Sequence, residues 1–267
     1  DPDGEFTARA LANLQETLLS ETARTGQISP LKTRFDLDLG KKGSINLVTL
    51  WNHNLTIKGK WRVQIAKDSG FTDVTFDSGL IKIWRRTQGF GSEPYGDFIW
   101  DGIEKTTEGN FGLLWLPNNP LGRFVRITLD DDGNGNPDGY IEAGRVYIDA
   151  AWQPSINMMP GVELQWVDRS NKRRTRGGAP WVAKREAFRE VRFNLDFLPE
   201  DEIYNQVYEI SKRRGLGEQV VFVFDPENEE QLHRQAFLGT LQEMPAITRN
   251  QPVDLHETDI VIAESRG

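Results

Sequence analysis

An acidic loop at residues 130–139 is the clearest candidate for a metal site in this sequence. It reads DDDGNGNPDG, and its candidate Ca²⁺ ligands are Asp130, Asp132, Asn134 and Asp138. Calcium prefers six to eight hard oxygen ligands, which alternating Asp and Asn on a glycine-rich loop can supply. In an EF-hand register the bidentate acid belongs at Ile141, and Glu142 stands one position later. Since Asn, Asp and Gly also favour tight turns, the sequence favours a metal-free turn over a bound Ca²⁺ ion. We expect no other cofactor.

Tryptophan side chains form a second set with chemical potential, because exposed aromatic rings stack on the apolar faces of sugars. Three of them fall in or beside long turns and are the candidate ligand-binding residues: Trp84, Trp100 and Trp115. Trp61 alternates with apolar Val63 and Ile65, which predicts a place in the core. The competing interpretation of the three candidates is that they seal one end of a sandwich or lie in a contact between subunits.

One dense basic run lies in a glycine-flanked loop. Its members are Arg169, Lys172, Arg173, Arg174 and Arg176. These cations could contact phosphates, pair with the acids of an adjacent subunit or lie at a solvated hairpin tip. Because the chain has a net charge of -8, a subunit contact or a solvated tip is favoured, and we expect no nucleic-acid partner.

Catalytic motifs are missing from this sequence. It has no G-x-S-x-G, H-E-x-x-H or P-loop pattern, and no G-x-G-x-x-G after a strand. The absence of Cys excludes a disulfide scaffold, a Cys-ligated zinc site, an iron–sulfur cluster and a thiol nucleophile. Pairs of acids leave a glycosidase open by composition alone. We expect a protein that is not an enzyme and has no catalytic residues.

The pattern of apolar residues predicts how these side chains are positioned. A length of 267 residues favours two domains, and no apolar run is long enough to span a membrane. One apolar stripe predicts a helix over 6–22 within an N-terminal docking segment, 1–31; its members are Phe6, Ala10, Leu11, Leu14 and Leu18. From residue 33 the apolar residues alternate with polar ones between frequent turns, which indicates an antiparallel β-sandwich over 32–152.

The second half has a different organisation. Two prolines and a glycine make 153–161 a linker. Residues 162–267 then give a strand, the basic loop, a second strand, one helix and three further strands. Acids begin that helix after Pro199, bases end it, and Gly215 stops it. The run VVFVF at 220–224 predicts a strand covered on both faces. The second domain is therefore predicted to be a small β-barrel or sandwich with one flanking helix.

The first domain resembles a discoidin-like jelly roll. The segments RFDLDLG, NHN and GYIEAGR carry most of this resemblance, which covers about residues 35–150. It implies a β-sandwich with a ligand or partner surface on the loops at one end. The family binds sugars, lipids or proteins and is rarely catalytic.

The second domain is similar to the β-barrel-plus-helix domains of phage tail-tube and distal-tail proteins. Residues 160–263 carry the similarity, through an E-D-E helix, a V-x-F-V-x-D-P strand and an R-Q-A-x-x-G-x-L strand. The resemblance implies a virion structural protein of a phage or phage-derived tail tip or baseplate. Such a protein would be made in the bacterial cytoplasm and would form a trimeric or hexameric ring. Its partners would be other tail proteins and a cell-surface glycan. The alternative is a carbohydrate-binding module protein that acts alone.

Overall fold

The computed structural model describes residues 9–29, 33–84, 110–174, 177–228, 230–250 and 254–266. The chain divides into two compact units. The first unit comprises Asp1–Ala151, Val223–Ala236 and Gly267, and the second comprises Trp152–Phe222 and Phe237–Arg266. Nothing in the sequence indicates that Val223–Ala236 belongs to the first unit.

The first unit contains ten strands that pair in antiparallel fashion. They are β1 (Ala23–Arg24), β2 (Arg34–Ser44), β3 (Leu47–Trp51), β4 (Lys60–Ala66), β5 (Val74–Asp77), β6 (Ile81–Lys82), β7 (Phe111–Trp115), β8 (Leu121–Asp130), β9 (Glu142–Ala143) and β10 (Arg145–Asp149). One sheet has the order β2-β8-β4-β5, with β6 on β4, and the other has the order β10-β3-β7. The short strands β1 and β9 pair with each other.

The core of the first unit follows the period-two pattern of its strands. In β4 the side chains of Trp61, Val63 and Ile65 are at most 1% exposed, while the residues between them are half-buried. Apolar residues of β3 and β7 join the same buried cluster. Alternating side chains point to opposite faces of a strand, so each sheet contributes one apolar face. The predicted antiparallel β-sandwich is confirmed.

The prediction of a helix over 6–22 is wrong for the residues that the structure describes. Only Leu11–Gln15 is helical, as one 3-10 turn. Arg9 forms a backbone bridge with Arg24, and the Asn13 side chain donates to the carbonyl of Thr22. A continuous helix rises 1.5 Å per residue and would hold these partners apart. The segment doubles back instead, so Leu14 is buried and Leu18 is 58% exposed.

The second unit is built on one antiparallel sheet and an exposed hairpin. Its strands are β11 (Glu163–Val167), β12 (Asn171–Arg174), β13 (Pro180–Ala183), β14 (Phe188–Pro199), β15 (Gln219–Val223), β16 (Ala236–Leu241), β17 (Thr248–Asn250) and β18 (Leu255–Glu264). The sheet has the order β11-β14-β18-β16-β15, with β17 on β18. Strands β12 and β13 pair only with each other.

The flanking helix lies where the sequence predicts it. It runs as an α-helical turn (Glu200–Glu202), a π-helical segment (Ile203–Tyr208) and a final α-helix (Glu209–Arg214). Ile203 and Val207 are buried in the cluster that also holds the apolar residues of β14 and β18. Gly215 follows the last turn with a φ of 55°, a conformation that glycine adopts without steric cost.

Two predictions for the second half need correction. The VVFVF segment is not covered on both faces, because its three valines are only partly buried and Phe224 is 44% exposed. The basic segment is not an irregular loop but contains β12 and β13. Sequence favours a loop here because Arg, Lys and Asn contribute no alternating apolar pattern.

Within the described parts of the chain, no helix is long and apolar enough to cross a bilayer.

Candidate functional site

The acidic loop that follows β8 is held by one buried carboxylate. Asp131 is 0% exposed and accepts four hydrogen bonds. Two come from Thr56, through its backbone N at 2.9 Å and its Oγ1 at 2.5 Å. The side-chain amides of Asn134 and Asn136 donate the other two, at 3.0 and 2.8 Å. Four donors compensate much of the cost of burying a charge, so Asp131 fastens this loop to the loop between β3 and β4.

The four candidate Ca²⁺ ligands are distributed around that fastening. Asp130 accepts from the backbone N of Asp132, and Asp138 accepts from the side-chain amide of Asn54. The Asn134 amide is turned toward Asp131. Among the described residues, no three His, Asp or Glu side chains are grouped to hold a metal ion. These contacts agree with a metal-free turn, and the Ca²⁺ site stays a prediction.

Two of the three candidate tryptophans lie in described parts of the chain, and they differ in exposure. Trp84 is 1% exposed and donates its indole N–H to the carbonyl of Leu55, so its ring belongs to the core. Trp115 is half-buried and ends β7 beside Leu47 of β3. Trp100 lies outside the described residues. Trp84 therefore offers no exposed platform for a sugar, and it packs as the competing interpretation expects.

Buried aromatic and imidazole rings surround Trp84 within the first unit. His53 lies edge-on to Trp84 at 5.2 Å between ring centroids, and His233 lies 6.1 Å from the same ring. Phe111 contacts His233 at 4.9 Å. Both histidines are 1% exposed. They are therefore core residues that anchor the loop 52–59 and the Val223–Ala236 segment, and are not side chains presented to a ligand.

A polar surface lies beside the acidic loop, where the chain brings three segments together. We call it the loop surface; it consists of Arg9, Arg24, Asn54, Asp138, Tyr140 and Glu142. Arg24 and Glu142 are directly opposite each other in the β1–β9 pair. Asn54 joins the loop between β3 and β4 to this pair, because its Oδ1 accepts from the backbone N of Glu142 at 2.8 Å. Its amide donates to the carbonyl of Tyr140 at 3.0 Å.

The centre of the loop surface is a stacked aromatic and cationic pair. The guanidinium carbon of Arg24 lies 4.1 Å from the centroid of the half-buried Tyr140 ring. Arg24 Nε also donates to Glu142 Oε1 at 2.5 Å, which fixes the plane of the guanidinium. The side chain of Arg24 is 29% exposed and that of Glu142 is 21% exposed. An aromatic ring with convergent amide, guanidinium and carboxylate groups is the arrangement that a polar ring-shaped ligand needs.

The basic residues of the second unit lie on a hairpin that extends beyond its sheet. We call residues 168–185 the basic ribbon. Ser170 Oγ accepts from the backbone N of Arg185 at 2.9 Å and joins β12 and β13 to the β11–β14 pair. All residues of β12 are exposed, and Arg173 faces Trp181, which is 53% exposed. The structure thus brings Lys172, Arg173 and Arg174 together, while Arg169 lies 4.5 Å over the Phe188 ring. Arg176 lies outside the described residues.

Sequence reasoning found only Asp138 of the loop surface, as a candidate Ca²⁺ ligand, and did not predict the other members as site residues. Tyr140 and Glu142 fall in the GYIEAGR segment, which carries part of the discoidin-like resemblance. Arg24 stands in the predicted docking segment 1–31, beyond the predicted helix, where nothing marks it as a partner of Glu142. Long-range pairing between residues 118 positions apart leaves no local pattern. The only signal was an aromatic residue directly after a glycine-rich turn.

Neither a protein-family model nor a curated protein matches this sequence. Solved structures with a similar fold include CpGH89CBM32-6 produced by Clostridium perfringens, at 15% identity and a TM-score of 0.33, covering 54% of this chain and 87% of that one. CBM32-1 from a family 31 glycoside hydrolase of the same organism shares 16% identity, with a TM-score of 0.36 and coverages of 55% and 89%. A fucolectin from the serum of striped bass, Morone saxatilis, shares 10% identity, with a TM-score of 0.35 and coverages of 97% and 87%. The mainly β, antiparallel fold of the chain rests on the strand pairing and burial described above and not on these similarities.

Proposed function

We propose that this protein is a non-catalytic carbohydrate-binding protein and that its first unit holds a sugar at the loop surface. The observation that carries the proposal is the Tyr140 ring, half-buried under the Arg24 guanidinium and flanked by Asn54 and Glu142. Sugars present hydroxyl groups around a ring with apolar C–H faces. They therefore need polar groups of both hydrogen-bonding types beside an aromatic surface.

The loop surface supplies both types from fixed positions. All three guanidinium contacts to Glu142 fall on Oε1, so Oε2 remains as an acceptor for a hydroxyl donor within the described part of the chain. The amide of Asn54 uses both N–H groups on Asp138 and the carbonyl of Tyr140. Its Oδ1 accepts from the backbone N of Glu142, so Asn54 orients the surface and the guanidinium groups supply the donors. Side chains that the protein already orients lose little conformational freedom on binding, which favours affinity.

Replacing Tyr140 with alanine should weaken binding to a glycan at least tenfold, because aromatic contacts contribute about 1 kcal/mol or more beyond their buried area. The measurement is a screen of the purified chain on a glycan array, followed by calorimetric titration of the best ligand. Tyr147→Ala is the matched control, since Arg145 also lies over that ring, at 4.7 Å, but on strand β10. A chain that binds no arrayed glycan, or equal losses in both variants, would refute the proposal.

A second candidate function is a structural role in a phage or phage-derived tail tip, as one subunit of a ring. The observation in its favour is how charge is partitioned along the chain. The basic ribbon contains seven Lys or Arg and one Asp, which gives it a net charge of +6. Because the whole chain has a net charge of -8, the residues outside the ribbon carry a net charge of -14. A cationic projection on an acidic body is complementary to a second copy of the same chain.

The ribbon has the structure of a segment that needs a partner. An isolated two-stranded hairpin is at best marginally stable in water. Trp181 and Val182 expose about half of their surface on it. Contact with the acidic body of a neighbouring copy would cover these side chains and pair Arg173 and Arg174 with carboxylates. A contact between unlike surfaces closes into a ring when the rotation allows it.

For this second candidate we expect a trimer or hexamer in sedimentation experiments at low salt, dissociating at high salt as charges are screened. The double variant Arg173→Glu/Arg174→Glu should be monomeric. Lys41→Glu/Lys42→Glu, which makes the same charge change at two exposed positions of β2, should assemble normally. A monomeric wild-type chain at low salt would rule out self-assembly through the ribbon and leave the glycan proposal untouched.

A further inference from the structure

We infer that the sugar bound at the loop surface is anionic and carries a carboxylate or sulfate group that contacts Arg9 and Arg24. This inference rests on the proposed glycan-binding function and names the class of ligand for the same surface. Three observations support it. Two guanidinium groups contact one carboxylate oxygen, some of their N–H donors are not used in these contacts, and the carboxylates of the loop surface already accept hydrogen bonds from the protein.

Two guanidinium groups share a single oxygen atom of Glu142. Arg24 contacts Oε1 through Nε, at 2.5 Å, and through Nη2. Arg9 Nη1 lies 3.6 Å from the same atom and donates to Thr22 Oγ1 at 2.7 Å. One carboxylate therefore faces two positive charges, and Asp138, the other acid of the loop surface, is in contact with Asn54 and not with this trio.

The shared oxygen engages only part of the donor capacity. Each guanidinium carries five N–H donors in a planar fork that matches carboxylate, sulfate or phosphate groups. Among the described residues, the contacts of this pair with the protein use Arg9 Nη1 and Arg24 Nε and Nη2. The side chain of Arg9 is 45% exposed, so the remaining donors can be approached from solvent. The ligand must therefore supply strong acceptors.

The acids of the loop surface are already bound by the protein. Glu142 holds the guanidinium groups, and Asp138 accepts from the Asn54 amide at 2.9 Å. The guanidinium groups balance the charge of Glu142, whereas Asp138 keeps its charge because the Asn54 amide is neutral. Among the described residues, the two guanidinium groups keep donors that meet no protein acceptor. The net charge of -8 repels anions at long range, but physiological salt screens charges beyond about 8 Å. At contact distance the guanidinium groups of Arg9 and Arg24 determine which ligand charge is preferred.

The test compares three oligosaccharides of equal length by calorimetric titration of the full chain. One contains galacturonate residues, the second is the same chain with its carboxyl groups reduced, and the third is a sulfated galactan fragment. We expect at least one anionic oligosaccharide to bind about tenfold more tightly than the reduced one at low salt, as a charge-assisted hydrogen bond predicts. Tighter binding of the galacturonate oligosaccharide would identify the charged group of the ligand as a carboxylate, and tighter binding of the galactan fragment would identify it as a sulfate.

Variants separate the inference from the function on which it rests. Arg9→Gln/Arg24→Gln should lower the affinity for the anionic sugars by a larger factor than the affinity for the reduced one. Arg123→Gln, which removes an exposed arginine paired with Asp38, should keep the preference. If the reduced oligosaccharide binds as tightly as both anionic ones, the inference fails while glycan binding stands. If none of the three binds and the glycan array is also negative, both fail.

Discussion

Replacing Arg189 with methionine should lower the free energy of unfolding of the second unit by about 3 kcal/mol. Arg189 Nη2 donates to Glu264 Oε1 at 2.5 Å, and the two side chains are only 2% and 7% exposed. The backbone N of Arg189 also donates to Glu264 Oε2 at 3.0 Å. Methionine fills much of the volume of arginine but leaves the carboxylate of Glu264 buried without its main partner. The strands β14 and β18, which carry the two residues, should lose hydrogen-exchange protection.

Arg266 provides the matched control for this prediction. Its Nε lies 3.1 Å from Oε2 of the same carboxylate, but its side chain is 28% exposed. An ion pair in contact with water is worth at most about 1 kcal/mol, so Arg266→Met should cost far less than Arg189→Met. Equal losses in the two variants would show that burial of the pair does not determine its contribution. Urea denaturation followed by circular dichroism gives the free energies.

The pH dependence of stability gives an independent measure of the same pair. Burial by itself raises the pKa of Glu264, but the hydrogen bond and charge of Arg189 outweigh it and hold the pKa below its ordinary value of 4.5. A carboxyl group with a lowered folded-state pKa stabilises the fold above its unfolded pKa, and this stability is lost as pH falls through the folded value. In Arg189→Met the burial that raises the pKa is no longer opposed by Arg189, so the difference between wild type and variant should be largest at neutral pH and should shrink as the pH falls.

The regular elements of this fold could be predicted because their signals are local. Trp61, Val63 and Ile65 alternate with polar residues and so identify both the strand and its buried face. The helix from Glu200 to Arg214 is marked by its charges and by Gly215. Each of these signals lies within one element, and the structure supports each of them.

The candidate site could not be predicted in the same way, since its contacts join distant parts of the chain. Arg24 and Glu142 become partners only when β1 pairs with β9. Leu14 is buried because the segment doubles back beside the β1–β9 pair, and not because it lies on the apolar face of a helix. The apolar spacing therefore predicted a helix over 6–22 where the structure has none of that length. Tryptophan at a turn left a sugar platform and a buried packing role both open, and Trp84 is in the core, because residue type alone does not determine exposure.

Replacing Asp131 with alanine should lower the free energy of unfolding of the first unit by about 2–4 kcal/mol, because it leaves donors of Thr56, Asn134 and Asn136 without their acceptor. In the sequence Asp131 stands between Asp130 and Asp132, and only burial distinguishes the three. Asp132 is exposed, so Asp132→Ala should change stability by less than about 0.5 kcal/mol.

Thermal melting of both variants, with and without Ca²⁺, decides between the two interpretations of the acidic loop. If the hydrogen bonds to Asp131 order the loop, a chelator should leave the melting temperature of the wild-type chain unchanged, and only Asp131→Ala should be destabilised. If a Ca²⁺ ion orders it, the ion should raise the wild-type melting temperature, because a ligand that binds only the folded state stabilises it. Asp132→Ala should then be destabilised as well, through loss of a candidate ligand. The buried carboxylate with four protein donors predicts the first result.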